Sequence, residues 1–420
     1  MILLSSPGKP ISDATLRMIL AESLSNVGRS NDRILVVVPD DTRSLPMPAI
    51  FESLVCALAP RVKELAFLVA LGTHPPMTVP QLSQHFGPSL KSRPNVRLFQ
   101  HAWKDPSGLT RVGTIPAVEI EALSKGLLPL PVPVTINRLA LAYDFLLIVN
   151  PVFPHEVVGF SGGHKYFFPG ISGAEILDIT HWLGALITNP KINGHKDTPV
   201  RAMIERAATF IPTLRLGVSL VMQGKDLVGL FIGEVEEAWK KAVSLSTQVN
   251  ISWVEKPFHT VVSAAPTMYR DLWTAGKCMY KLEPVVADGG RIIIYAPHLR
   301  EISATHGELI RQIGYHTRDY FLAQWERFNG LPWTVLAHST HVKGIGTFRN
   351  GVERPRVEVV LATGLSKEVC RKVNLGYLEA GGLNLEDYAD RRDEGILLVP
   401  DAGEILYRLA DGSIPDIDRL

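Results

Sequence analysis

Short runs of consecutive apolar residues recur along the chain, each followed by a stretch in which apolar positions return every three or four residues. Arg33-Ile-Leu-Val-Val-Val38 precedes an amphipathic segment from Met47 to Leu58, and Glu64-Leu-Ala-Phe-Leu-Val-Ala70 precedes another from Val79 to Phe86. A run without a polar face must be covered on both sides, so strands of this kind alternating with helices predict a mainly parallel sheet flanked by helices. Asp144-Phe-Leu-Leu-Ile-Val149 predicts a further buried strand, followed by a long glycine-rich loop and a helix from about 174 to 187. The rhythm then restarts, with strands predicted at 259–263, 291–295, 357–361 and 395–399 and helices near 269–281, 318–327, 366–373 and 401–409. The fold class expected is α/β in two domains, 1–250 and 251–420, with the last residues free to return to the first. The Pro-rich stretch from Leu127 to Pro133 is too short for a linker and reads as an extended crossover.

Composition narrows the function more than the fold. With 420 residues, 46% hydrophobic and 20% charged, the chain can bury large cores, and disorder or a coiled coil is excluded. Lys plus Arg is 43 against 42 for Asp plus Glu, so no overall field draws the protein to nucleic acid or an anionic membrane, and a small-molecule partner is expected. Cys56, Cys278 and Cys370 lie far apart with no CxxC spacing, which argues against a disulfide framework or a cysteine zinc site. Met1-Ile-Leu-Leu-Ser-Ser carries no basic region and a short apolar run, and no stretch reaches the about 20 apolar residues of a spanning helix. A cytoplasmic protein with no membrane partner is expected.

In an open parallel sheet, ligands bind beyond the carboxyl ends of the strands, so polar loops after apolar runs carry the candidate chemistry. Pro39-Asp40-Asp41-Thr42-Arg43 offers a carboxylate, a hydroxyl and a guanidinium that can grip a carboxylate or phosphate bidentately; it also reads as a helix cap with an Arg43–Asp40 pair. Gly72-Thr73-His74-Pro75-Pro76 sets a histidine after a buried strand, as a general base or as a structural turn residue. The third loop, from His155 to Gly173, holds five glycines between 159 and 173, with Lys165 among them and His181 sixteen residues beyond it. Glycines at this density let backbone amides approach an anion, yet His164 before the lysine and Tyr166 after it do not fit a P-loop. Two imidazoles and an amine around a glycine turn suit a metal or a covalent cofactor, and equally a lysine ion pair between core histidines. His164 itself reads either as a contact to such a cofactor or as an exposed loop residue.

The set DDTR at 40–43, GTHPPMT at 72–78, HEVVGFSGGHKYFFPGISG at 155–173 and His181, in this order and spacing, resembles the lactate racemase family, which uses a nickel pincer nucleotide. The resemblance runs over nearly the whole chain and implies two domains with the active site in the cleft between them. It implies that Lys165 carries the cofactor covalently, that His181 ligates nickel, and that His74 and His155 flank the substrate as acid and base. Asp40, Thr42, Gly162, Gly163, Pro169 and Gly170 fall where the cofactor would be held, and Arg43, Trp273, Thr274 and Lys277 where the substrate would be. The family's lactate enzymes carry Arg after the GTH histidine and Tyr-Gln where this chain has Pro75 and Trp273-Thr274. These departures imply a substrate larger or more polar than lactate, with sugar acids a candidate.

The function this resemblance implies is inversion of the hydroxyl-bearing carbon of a 2-hydroxy acid by reversible hydride transfer, with cofactor-synthesis enzymes as partners. Two readings from other classes stay beside it. A zinc hydrolase would use His155 and His181, with His74 as a further candidate ligand, to activate a water, and leaves Lys165 without a role. A non-catalytic nucleotide-binding protein on the same scaffold needs the glycine loop but neither flanking histidine.

Overall fold

The computed structural model describes residues 2–5, 8–88 and 93–416. Its contacts group the chain into two compact units: unit 1 comprises Met1–Phe153, Phe160–Leu177 and Pro199–Val249, and unit 2 comprises Pro154–Gly159, Asp178–Thr198 and Asn250–Leu420.

Unit 1 is built on a seven-stranded sheet: β1 (Ile2–Ser5), β2 (Arg33–Val38), β3 (Glu64–Val69), β4 (Val96–Gln100), β5 (Phe145–Pro151), β6 (Leu214–Gln223) and β7 (Asp226–Gly233). The strand order is β1-β7-β6-β5-β2-β3-β4. The pairs from β6 through β5, β2 and β3 to β4 are parallel, whereas β7 runs antiparallel to both β6 and β1. Helices α1 (Asp13–Ser23), α2 (Met47–Leu58) and α3 (Val79–Phe86) follow β1, β2 and β3, and α4 (Ala174–Ile187), α5 (Pro199–Ala208) and α6 (Val235–Val249) come after β5.

The apolar runs do what their composition requires. Ile34 to Val38 are wholly buried, and Phe51 of α2, Phe67 of β3 and Phe86 of α3 close over one another, with ring centroids 4.6 Å apart for Phe51–Phe67 and 5.2 Å for Phe51–Phe86. Each such side chain contributes about 1.5–3 kcal/mol by burial alone. β2 has β3 on one side and β5 on the other, so the chain order switches direction there, and the loops leaving β2, β3 and β5 all open at the carboxyl edge of the sheet.

Unit 2 holds a five-stranded, wholly parallel sheet of β8 (Phe258–Ala264), β9 (Val286–Ala296), β10 (Glu358–Thr363), β11 (Gly376–Tyr377) and β12 (Ile396–Val399), in the order β11-β10-β9-β8-β12. Two short helices, α7 (Leu272–Ala275) and α8 (Lys277–Tyr280), follow β8, and α9 (Trp333–Lys343) packs with nine buried residues.

Several local expectations are corrected. The helix expected at 401–409 is absent; Leu406–Leu409 is a strand paired in parallel with Ile251–Val254. The Pro-rich stretch leads into Val132–Asn137, which pairs antiparallel with Leu109–Ile115. The single helix expected at 269–281 is the α7–α8 pair, where Asp271 caps α7 and interrupts the turn. Among the described residues no helix is long and apolar enough to cross a membrane.

Phe67→Ala tests the aromatic seal of unit 1. Emptying that position should cost about 3–5 kcal/mol in urea unfolding of this unit. A loss below about 1 kcal/mol would show that the trio does not hold α2 and α3 on the sheet.

Candidate functional site

At the carboxyl edge of unit 1 the loops after β2 and β3 are tied by one carboxylate. Asp40, 5% exposed, accepts from the Thr42 hydroxyl at 2.7 Å and the Thr42 N–H at 3.2 Å through Oδ1, and its Oδ2 lies 2.5 Å from His74 Nδ1. Burial alone would push the Asp40 carboxyl up, but the His74 and Arg43 charges and the Thr42 hydroxyl hold it well below the usual carboxylate range. The Asp40 carboxylate accepts a hydrogen bond from His74 Nδ1–H, which leaves Nε2 as the ring nitrogen at which a proton can be exchanged. The loop is braced from α3, where His85 Nε2 meets the Pro39 carbonyl at 3.0 Å and Gln81 donates to Asp41 at 3.2 Å.

The glycine loop is drawn to the same edge. Gly72 N–H donates to Gly170 O at 3.0 Å, joining the loop after β3 to the loop after β5. Gly162 and Gly163 adopt φ of +86° and +60°, and a Cβ on Gly162 would stand 2.4 Å from Asn150 Oδ1, so this turn requires glycine. Arg201 of α5 holds the turn from below, donating to the carbonyls of Gly162 and Phe160 while its guanidinium stacks 4.0 Å over the Trp239 ring of α6. Burial lowers the Arg201 guanidinium to about 10. Trp239 Nε1 donates to Ser161 O at 2.8 Å. Gly163–Tyr166 then form a single 3₁₀ turn that carries the half-buried Lys165, and Pro169 follows in a cis peptide.

Two residues in this turn differ from their sequence reading. His164 is buried, not exposed: its Nδ1 lies 2.5 Å from Glu205 Oε2, and its buried Nε2 has no hydrogen-bond partner. Tyr166, given no role by the sequence, is buried with Asp40 and Arg43 near enough to act on its hydroxyl; burial raises that hydroxyl above its ordinary value, Arg43 opposes the rise and Asp40 adds to it. Its place directly after the motif lysine is the one signal the sequence offered.

The remaining candidates belong to unit 2. His155 is buried; its Nδ1 accepts from Val157 N–H at 3.1 Å and lies 3.3 Å from Glu156 Oε2. His181 stands on α4, half-buried. The Lys277 ammonium sits 4.5 Å over the Tyr269 ring. Trp273 stacks on two imidazoles, with centroids 4.6 Å from His306 and 3.9 Å from His338. The Thr274 hydroxyl donates to Asp271 Oδ1 at 2.8 Å and Asp271 O at 3.0 Å. Burial, with His341, His306 and His181 adding, drives the His338 ring well below the usual imidazole range. Unit 1 therefore gathers Asp40, Thr42, Arg43, His74 and the Lys165 turn at one sheet edge, and unit 2 carries His155, His181, Trp273, Thr274 and Lys277. Among the described residues no three His, Cys, Asp or Glu side chains form a group able to hold a metal by themselves.

Residues 4–193 match the model of the lactate racemase N-terminal domain. The chain is 25% identical over 288 residues to the lactate racemase of Lactiplantibacillus plantarum and 26% identical over 280 residues to that of Thermoanaerobacterium thermosaccharolyticum. These matches cover 66% and 65% of this chain and 62% of each relative. Among solved structures, a protein from Thermotoga maritima superposes with a TM-score of 0.89 at 32% identity, over 97% of this chain and 100% of that one. The lactate racemase apoprotein of T. thermosaccharolyticum superposes with a TM-score of 0.69 at 20% identity, over 97% of this chain and 94% of that one, a likeness of fold. The motifs gathered along the strand ends all lie within residues 4–193, the span over which the chain is similar to the lactate racemase N-terminal domain.

Proposed function

We propose that the protein is a racemase or epimerase that inverts the hydroxyl-bearing carbon of a 2-hydroxy acid larger or more polar than lactate, using a nickel pincer nucleotide held on Lys165 and made by separate enzymes. The similarity to lactate racemases supports the reaction class, and the observation that carries the reading is the Asp40–His74 pair. An imidazole whose Nδ1 is fixed by a buried carboxylate is prepared to take a proton at Nε2.

The residues present fit such a group. The Lys165 amine is carried on a turn fixed by Arg201 and Asn150, and the adjacent His164 Nε2 is buried without a partner, as expected of an atom that faces a bound group. Imidazole suits nickel, which gives His181 its role. When bound, the group supplies a hydride acceptor.

The hydrogen next to a carboxylate is a very weak acid, because its removal would place a second negative charge beside the first. Hydride loss coupled to deprotonation of the hydroxyl gives a neutral ketone instead. His74 Nε2 takes that hydroxyl proton, and Asp40 stabilises the imidazolium that results. Arg43 and Lys277 bind the substrate carboxylate; rotation of the 2-oxo acid exposes its other face. His155 returns the second proton. To give a proton from Nε2 and be left neutral, its ring must also carry a proton on Nδ1, which exchanges the Val157 N–H for the Glu156 carboxylate 3.3 Å away. Glu156 thereby does for His155 what Asp40 does for His74.

Four outcomes test the reading on protein made with the cofactor-synthesis enzymes. Peptide mapping should find the added mass on Lys165, and an unmodified Lys165 in active protein overturns the assignment. His181→Ala should lose nickel while keeping its melting temperature; retained nickel and turnover would remove His181 as ligand. Asp40→Asn should lower kcat about 10²-fold or more, the lower range of general-base catalysis. In deuterated water, inversion should bring little deuterium to carbon 2, and complete uptake would point to proton abstraction instead.

A further inference from the structure

Several buried polar atoms of unit 2 find no hydrogen-bond partner among the described residues, and two of them belong to rings in contact with each other. His338 of α9 is 7% exposed, and its Nε2 has no hydrogen-bond partner. Tyr315 is wholly buried, and its hydroxyl also has none. The two rings meet edge to face with centroids 5.9 Å apart. An unpaired buried donor or acceptor costs stability, and native structures rarely keep one without a use. Packing does not require these groups, since a phenylalanine at Tyr315 fills the same space without a hydroxyl, and an apolar side chain at His338 avoids the unpaired nitrogen.

Their surroundings connect them to the substrate residues. The indole of Trp273 stacks on the His338 ring at 3.9 Å with planes 23° apart, which fixes the direction of Nε2. Gly276, next to Lys277, lets this ring approach: a Cβ there would stand 3.3 Å from His338 Cε1, the carbon bonded to Nε2. Asp271, which caps the helix of Trp273 and Thr274, lies near enough to act on the Tyr315 hydroxyl, but its own oxygens are taken by Thr274 and by Ala304 N–H at 3.2 Å. Thr274 gives its hydroxyl proton to Asp271, so toward a ligand its oxygen can only accept. A phenol and a neutral imidazole each donate and accept, and that pairing suits alcohol groups better than a carboxylate.

We propose that His338 and Tyr315 form the specificity-determining element of the site, hydrogen-bonding hydroxyl groups beyond carbon 2, so that the substrate class is the polyhydroxylated 2-hydroxy acids. The proposal rests on the racemase reading and deepens it. Lactate has no hydroxyl to offer these atoms and leaves both unpaired, whereas an aldonate can engage them. Sites built to bond hydroxyls discriminate strongly against ligands that lack them.

The test compares wild type, Tyr315→Phe, His338→Leu and His338→Gln as cofactor-loaded enzymes on lactate and on aldonates of increasing chain length. Wild type should prefer the aldonates. Tyr315→Phe and His338→Leu should each lower the ratio of kcat/KM for aldonate to that for lactate about tenfold, mainly through KM for the aldonate, while His338→Gln keeps most of it. Tyr315→Phe removes one oxygen atom, so it reports even if His338→Leu fails to fold. An unchanged ratio in Tyr315→Phe, an equal loss on both acids in His338→Leu, or a wild type that prefers lactate would overturn the proposal and leave the racemase reading standing. A nickel-loaded wild type that inverts none of the acids would overturn the racemase reading and the proposal with it.

Discussion

The Asp40 carboxylate is the constraint on which the rest of unit 1's site depends. A charge placed under the surface at the end of a buried strand must be matched on every lone pair, and here Thr42 and His74 supply the match. The same bonds join the loops after β2 and β3, whose strands are adjacent in the sheet. A group needed to keep a buried charge satisfied thus also sets the ring nitrogen that is left for chemistry. Opposed forces act on the carboxyl, with burial favouring its neutral form, and the charged form prevails because His74, Arg43 and Thr42 are all close.

The glycine loop follows the same logic with a cation. Arg201 is buried, its two terminal nitrogens donate to the carbonyls of Gly162 and Phe160, and its plane lies over the face of Trp239. A loop whose glycines allow unusual backbone angles would otherwise be free to rearrange. Carbonyls held by a rigid planar donor, and an amide held by Asn150, leave it one arrangement. Glu205 sits on the same helix as Arg201, which it meets at 3.4 Å, and pairs with His164, so a single helix fixes the lysine-bearing turn from two directions.

Unit 2 uses rings rather than charges. Trp273 lies against two imidazoles, and Tyr315 meets one of them at its edge. Stacking of this kind orients polar atoms while costing little conformational freedom, since each ring has few torsions to fix. Desolvation lowers the buried His338 and His341 rings, and His341 is brought down to about 3.

What the sequence determined by itself is the class of fold and the position of the chemistry along the chain. Apolar runs such as Ile34 to Val38 admit only a strand covered on both faces, and the motif loops follow such runs because a parallel sheet opens its ligand edge there. The glycines at 162 and 163 were legible for the same reason, since their backbone angles exclude other residues. The short strand at 406–409 was not legible, because its few residues carry no period that separates strand from helix and its partner lies at 251–254, far away in the chain. The partners of His164, Tyr166, Arg201 and His338 were not legible either. Glu205 is 41 residues from His164, and Tyr315 is 23 from His338, with nothing in the local pattern to join them. Burial and hydrogen-bond partnership are properties of where chain segments meet. Only the tertiary structure decided which histidines are held by carboxylates and which are left with an unpaired nitrogen.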